Sequence, residues 1–108
     1  MKLPTEIFGE VIVVHTPEEL GGDTIRQVEA YLTSLDRSNV VVDLDGTESL
    51  ESAGLEALLN AQEVLRGLLG DLKITTSNSA NRKILELTRL DQQLEVFDSV
   101  IDAVKSFI

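Results

Sequence analysis

Residues 40–59 read VVVDLDGTESLESAGLEALL. The apolar tract from Val40 to Leu44 is too continuous for a strand with one wet face, so it reads as a strand buried on both sides of a sheet. Two acids and a glycine end it. A leucine-rich segment at helical spacing then begins beside Ser52, with Leu55, Leu58, Leu59, Gln62, Leu65 and Leu69 near one stripe. A buried strand followed at once by a helix is half of a crossover between parallel strands. The fold therefore turns on whether the flanking chain repeats this alternation.

It does so in both directions. Upstream, Ile7 and Phe8, the turn Gly9-Glu10 and Val11 to Val14 form two short strands about a tight turn. HTPEELGGD, residues 15–23, is a polar loop. Ile25, Val28, Leu32 and Leu35 then share one helix face, with Asp23 or Thr24 placed to cap it. Downstream, Gly70 is positioned to stop the second helix, and Leu72 to Thr76 makes the next strand. Ser79 is expected to cap a third helix carrying Ile84, Leu85 and Leu87. Leu94 to Phe97 is a short strand. Ser99 and Asp102, at capping-box spacing, open a last helix with Val100, Ile101, Val104 and Phe107 apolar. The predicted order is β-β-α-β-α-β-α-β-α, an α/β domain with a mixed, mainly parallel sheet. No linker, repeat or low-complexity tract divides it, so residues 1–108 are expected to be one domain.

Composition excludes several classes of function. The 108 residues include no cysteine, so disulfides, thiol catalysis and cysteine metal sites are absent. Nineteen acids against nine Lys and Arg give a formal charge of −10. That charge argues against nucleic acid, whose phosphates demand cations, and against direct contact with an anionic membrane. MKLPTEIFGE is not a signal peptide, no stretch is long and apolar enough for a span, and a cytoplasmic chain is expected. His15, the single histidine, has no second histidine or cysteine for a metal site and is read as a surface residue. Gly21-Gly22 lacks the lysine-bearing frame of a phosphate loop. Arg82, Lys83 and Arg89 read as a solvated helix face.

Two phosphate chemistries can be read from residues 40–59. DLDGT after an apolar strand resembles the first motif of haloacid-dehalogenase-type phosphatases. By that resemblance Asp43 would be the nucleophile, Asp45 the acid/base and Mg2+ the counter-charge. Thr47 completes the match. The acid pair needed to hold the metal would have to be Asp98 and Asp102, which read instead as a helix start. The motif thus lacks its context and stays a remote alternative.

ESAGL, residues 51–55, supports the other chemistry. The succession D-L-D-G-T, E-S-L, E-S-A-G-L resembles the STAS domain of anti-sigma factor antagonists, with its strand, D-L-S-G-V, short connection and D-S-S-G-L opening a helix. SNSANRKILELTRLDQQLEVFDSVIDAVKSF, residues 77–107, resembles the closing part of the same family. Glu51 stands where that family has Asp, Ala53 replaces its second serine, and the 15–23 loop lacks its G-x-L-D. The resemblance implies a non-enzymatic bacterial switch in transcription regulation, without cofactor, metal or catalytic residue. Ser52 would be the phosphorylation site, and Glu51, Ser52, Gly54, Glu48, Asp45 and Glu18 would form the partner surface. The partner would be an anti-sigma factor with serine kinase activity, which itself binds ATP, and a serine phosphatase would reset the switch. Physical chemistry agrees with the place: unpaired N–H groups and the positive dipole end at a helix start suit a phosphoryl group. A STAS binding module without phosphorylation, in a stress-signalling assembly or as a lipid-transport subunit, is the alternative that keeps the fold.

Overall fold

A computed structural model describes the chain from residue 2 to residue 108, the side chain of Ser49 excepted. β1 (Thr5–Phe8) and β2 (Val11–His15) pair antiparallel. Gly9, at φ 61°, supplies the left-handed conformation that their two-residue turn needs. β4 (Asn39–Asp43), β6 (Asp71–Thr75) and β7 (Val96–Phe97) add in parallel, giving the order β1-β2-β4-β6-β7. This is the mixed, mainly parallel sheet that the alternation predicts. Its register sets His15, Asp43, Thr75 and Phe97 abreast at the carboxyl ends of the strands.

Four helices complete the fold: α1 (Ile25–Thr33), α2 (Ser52–Gly67), α3 (Ser79–Leu87) and α4 (Val100–Lys105). The continuous apolar run at Val40–Val42 is explained by two cores. Val40 and Val42 pack with Ile12, Val14, Leu72 and Ile74 against Val28, Leu58 and Leu85 of α1, α2 and α3. Val41 points the other way, with Val11 and Val13, onto Ala103 and Val104 of α4. On that second face Lys73 is only 7% exposed. Its ammonium donates to the Ser106 hydroxyl at 2.8 Å and lies 4.3 Å from the Phe107 ring centre, so the charge is paired as it enters the core.

Several sequence expectations are corrected. The polar loop 15–23 contains a two-residue strand, β3 (Glu19–Leu20), parallel to β5 (Ser49–Leu50) in a small separate ribbon. Leu20 anchors it by full burial in the first core. Thr24 does not cap α1: its hydroxyl donates to the Gly21 carbonyl, and no side chain accepts from that helix start. The cap of α3 is Asn78, one residue before Ser79, with Oδ1 accepting from the N–H groups of Ala80 and Asn81. At α4 Ser99 does accept from the Asp102 N–H, as its spacing implies.

Gly70 is not the left-handed residue that ends α2. Leu69 takes that role at φ 67°, 97% exposed, rather than joining the apolar stripe. The bonds Gly70 N–H to Leu65 O and Leu69 N–H to Arg66 O complete a Schellman ending around it. Gly70 is required for another reason, since a Cβ there would overlap the backbone of Ser38. Leu87 and Ile101, expected on apolar faces, are exposed. The last strand is shorter than Leu94–Phe97, with Leu94 buried in the core ahead of it.

Candidate functional site

Ser52 is the first residue of α2, at the carboxyl edge of the sheet, and it is exposed. The residue before it, Glu51, occupies the N-cap position with extended backbone (φ −96°, ψ 159°), and no side chain caps the helix. Ser52 is therefore not acting as a cap. Its hydroxyl stands beside the unpaired N–H groups of a sixteen-residue helix, the positive end of the helix dipole.

The β3–β5 ribbon gives this place its walls. Glu48 N–H donates to Glu18 O at 2.8 Å and Glu51 N–H to Leu20 O at 3.3 Å, zipping residues 18–20 to 48–51. Glu18, Glu48 and Glu51 are all exposed around the start of α2. Backbone bonding thus brings the segments that carry Glu18, Glu48 and Glu51 together just ahead of α2, while Asp45 is bound to Ser77.

Two glycines allow the close fit. A Cβ on Gly54 would come within 2.5 Å of the Leu20 carbonyl oxygen, so α2 can approach β3 only with glycine there. Gly54 is buried by this internal contact and does not line an open approach to Ser52. Gly21, in extended backbone, leaves the space that the Glu51 carboxylate fills. Nothing in the sequence pattern marked Gly21, because its demand comes from a residue thirty positions away.

The DLDGT segment is built as a support. Asp43, 9% exposed, accepts at Oδ1 from the Asp45 N–H (3.0 Å) and at Oδ2 from His15 Nδ1 (2.8 Å). Asp45 accepts at Oδ1 from the Ser77 N–H (2.6 Å) and at Oδ2 from the Ser77 hydroxyl (3.1 Å), tying the β4 loop to the start of α3. Thr47 is fully buried: its hydroxyl donates to Pro17 O at 2.6 Å and meets the Thr16 hydroxyl. Asn81 Nδ2 donates to Leu44 O and Thr47 O at 3.3 and 3.0 Å. Among the described residues no buried side-chain nitrogen or oxygen lacks a partner, and the loop leading into β5 and Ser52 is held from three sides.

His15 is not the lone surface residue of the sequence reading. Its ring lies between two carboxylates, Nδ1 on Asp43 and Nε2 on Glu6 Oε1 at 2.7 Å. Partial burial pushes it toward the neutral form. The hydrogen bonds that the ring gives to Glu6 and Asp43, with their charges, outweigh that and hold its pKa above the ordinary value of 6.5. Among the described residues, no group of His, Asp and Glu has the arrangement of a metal site. Nor is any helix there long and apolar enough to cross a membrane.

A mainly parallel sheet with an antiparallel edge hairpin, a second two-stranded ribbon and a serine opening α2 define a class of small α/β domain. Residues 5–100 match the family described as Mlab, STAS domain, and the chain belongs to the STAS family. No curated protein sequence matches it. Among solved structures, an anti-sigma factor antagonist from Mycobacterium paratuberculosis is 25% identical, with a TM-score of 0.85 over 97% of this chain and 92% of that one. An anti-sigma-factor antagonist (STAS) domain protein from Planctomyces limnophilus is 16% identical, with a TM-score of 0.81 over 96% of each chain. The Bacillus cell fate determinant SpoIIAA in its phosphorylated form is 14% identical, with a TM-score of 0.72 over 99% of this chain and 100% of that one.

Proposed function

We propose that this chain is an anti-sigma factor antagonist, a cytoplasmic partner switch controlled by phosphorylation of Ser52 and without enzymatic activity of its own. The observation that carries this reading is an exposed serine opening α2, a helix start without a side-chain cap, preceded by paired segments that carry the exposed Glu18, Glu48 and Glu51. The unmodified domain binds an anti-sigma factor with serine kinase activity and frees the sigma factor. The partner supplies ATP and phosphorylates Ser52, which ends the complex, and a serine phosphatase restores it. Glu51, Ser52, Glu48 and Glu18 face the partner. Gly54 and Asp45 serve the same surface from below, by seating β3 on α2 and by fixing the β4 loop.

The physical basis is asymmetric. Phosphate adds about −1.5 to −2 charges at pH 7. The fold accepts them at a helix start, whereas a partner surface fitted to a neutral hydroxyl and nearby acids does not. The loss is expected to be a few kcal/mol, on the order of a hundredfold or more in affinity. Titration calorimetry against the cognate anti-sigma kinase tests this. Ser52→Asp should fold like the parent and lose binding, while Ser52→Ala should bind and take no phosphate in mass spectrometry after ATP addition. Tight binding by Ser52→Asp, or phosphate on another serine, would overturn the switch.

A second reading is favoured by specific observations, Glu51 in the family's Asp position and a match to the family described as Mlab. It makes the domain a fixed STAS binding module of a stress-signalling assembly or lipid-transport complex, in which Ser52 is never modified. The kinase experiment separates the two, since here no phosphate would appear. The haloacid-dehalogenase-like alternative draws no support from Asp43, both of whose carboxylate oxygens are occupied by protein donors.

A further inference from the structure

The Glu6–His15–Asp43 arrangement lies apart from the serine, and the switch reading makes no use of it. It joins three strands, because Glu6 is on β1, His15 on β2 and Asp43 on β4. Both ring nitrogens face carboxylate oxygens, at 2.7 and 2.8 Å. A carboxylate only accepts, and only the doubly protonated ring donates from both nitrogens, so the full clasp requires imidazolium. On deprotonation one nitrogen becomes an acceptor facing an anion, and one tie is lost.

The geometry decides which tie goes. The Asp43 side chain is 12% exposed and held by the Asp45 N–H, while that of Glu6 is 54% exposed on the edge strand. Glu6 is the partner free to turn into water. β1 as a whole faces solvent and is fastened to one neighbour, β2, so it is the element with least to replace that bond. At the other end, Asp43 carries the effect onward through its Oδ1 bond to the Asp45 N–H. Asp45 is bound to Ser77, and the same loop leads to Thr47 and β5.

We propose that His15 is a proton-operated fastener, closed as imidazolium and half-open when neutral, that couples the β1 edge strand to the 43–47 loop beneath the α2 start. Among the described residues, the charged groups in bonding contact with it are Glu6 from β1 and Asp43 from β4. β6 contributes the neutral Thr75 hydroxyl, which donates to Asp43 at 3.4 Å. On the same sheet face, Lys73 is directed at Ser106 and Glu95, and α4 carries Asp102 and Lys105. The folded protein holds the proton more tightly than the unfolded chain. The clasp's stabilisation is therefore complete below about pH 6.5 and is lost as pH rises through the folded pKa.

The single histidine makes the test direct. An NMR titration of its ring should give a midpoint above about 6.5. The amides of Asp45, Gly46 and Thr47 should shift with that same midpoint, and protection of β1 amides from exchange should fall across it while β4 and β6 hold. Glu6→Gln, on an exposed side chain, should lower the midpoint without unfolding the domain. His15→Gln should abolish the pH dependence at both β1 and the loop. A midpoint at or below 6.5, a midpoint indifferent to Glu6→Gln, or a loop that does not titrate with the ring would overturn the proposal.

Discussion

At the scale of single residues, the site separates what a side chain does for the fold from what it offers a partner. Ser52 is in the position of a helix-opening serine, yet α2 has no side-chain cap. Ser52→Ala should therefore cost less than about 0.5 kcal/mol, the range of an exposed substitution, instead of the 0.5–2 kcal/mol of a lost cap. Its two flanking glycines should differ sharply. Gly54→Ala drives a methyl into the Leu20 backbone, which cannot give way without moving β3, and should cost about 1–3 kcal/mol. Gly21→Ala meets only the far end of the Glu51 side chain and should cost little, while displacing that carboxylate from its place against Gly21. Urea melts of the three variants check the order, and equal losses at the two glycines would contradict it. These roles were unevenly legible. Glu48, Glu51 and Ser52 lie within five residues of one another and could be read directly. The clasp on His15 could not, because its partners are 9 and 28 residues away and meet only through strand register.

At the scale of elements, apolar tracts located the five strands of the main sheet and the four helices. What they could not locate were features made by one residue or by pairing. β3 and β5 are two residues each, too short for any period, and β3 is held by the burial of Leu20 together with its pairing to β5. Two of the helix ends misread were each displaced by one position. Leu69 takes the left-handed conformation because Gly70 is already committed to a close approach to Ser38, a long-range constraint that local preference does not contain. At α3 both Asn78 and Ser79 are good caps, and the structure selects Asn78. Asn78→Ala should thus cost about 1 kcal/mol, and Ser79→Ala a few tenths at most, in denaturant melts. The reverse order would restore the local reading. Because Asp45 bonds to Ser77 just before this cap, fraying of α3 should also loosen the loop below the serine.

At the scale of the whole molecule, charge is the dominant feature. Among the described residues six acids, Glu6, Asp36, Asp43, Asp71, Glu95 and Asp98, lie in ion pairs. Most of the nineteen acids in the sequence are thus left to repel one another. The domain measures 30 × 27 × 23 Å. At about 10 mM salt the screening length is about 30 Å, so every charge acts on every other across it, and at about 150 mM it is about 8 Å. Repulsion at a net charge of −10 opposes the compact state more than the expanded one. The domain should consequently gain stability with added NaCl over this range. A gain of about 1 kcal/mol would raise Tm by about 4–8 °C in a domain of this size. If Ser52 accepts phosphate, the modified form should gain more, since its excess charge is larger. Calorimetric scans of both forms at the two salt concentrations provide the measurement. A Tm that falls with salt would mean that pairs such as Lys73–Glu95 and Arg82–Asp98 outweigh the repulsion, and that the acidic surface is balanced rather than strained.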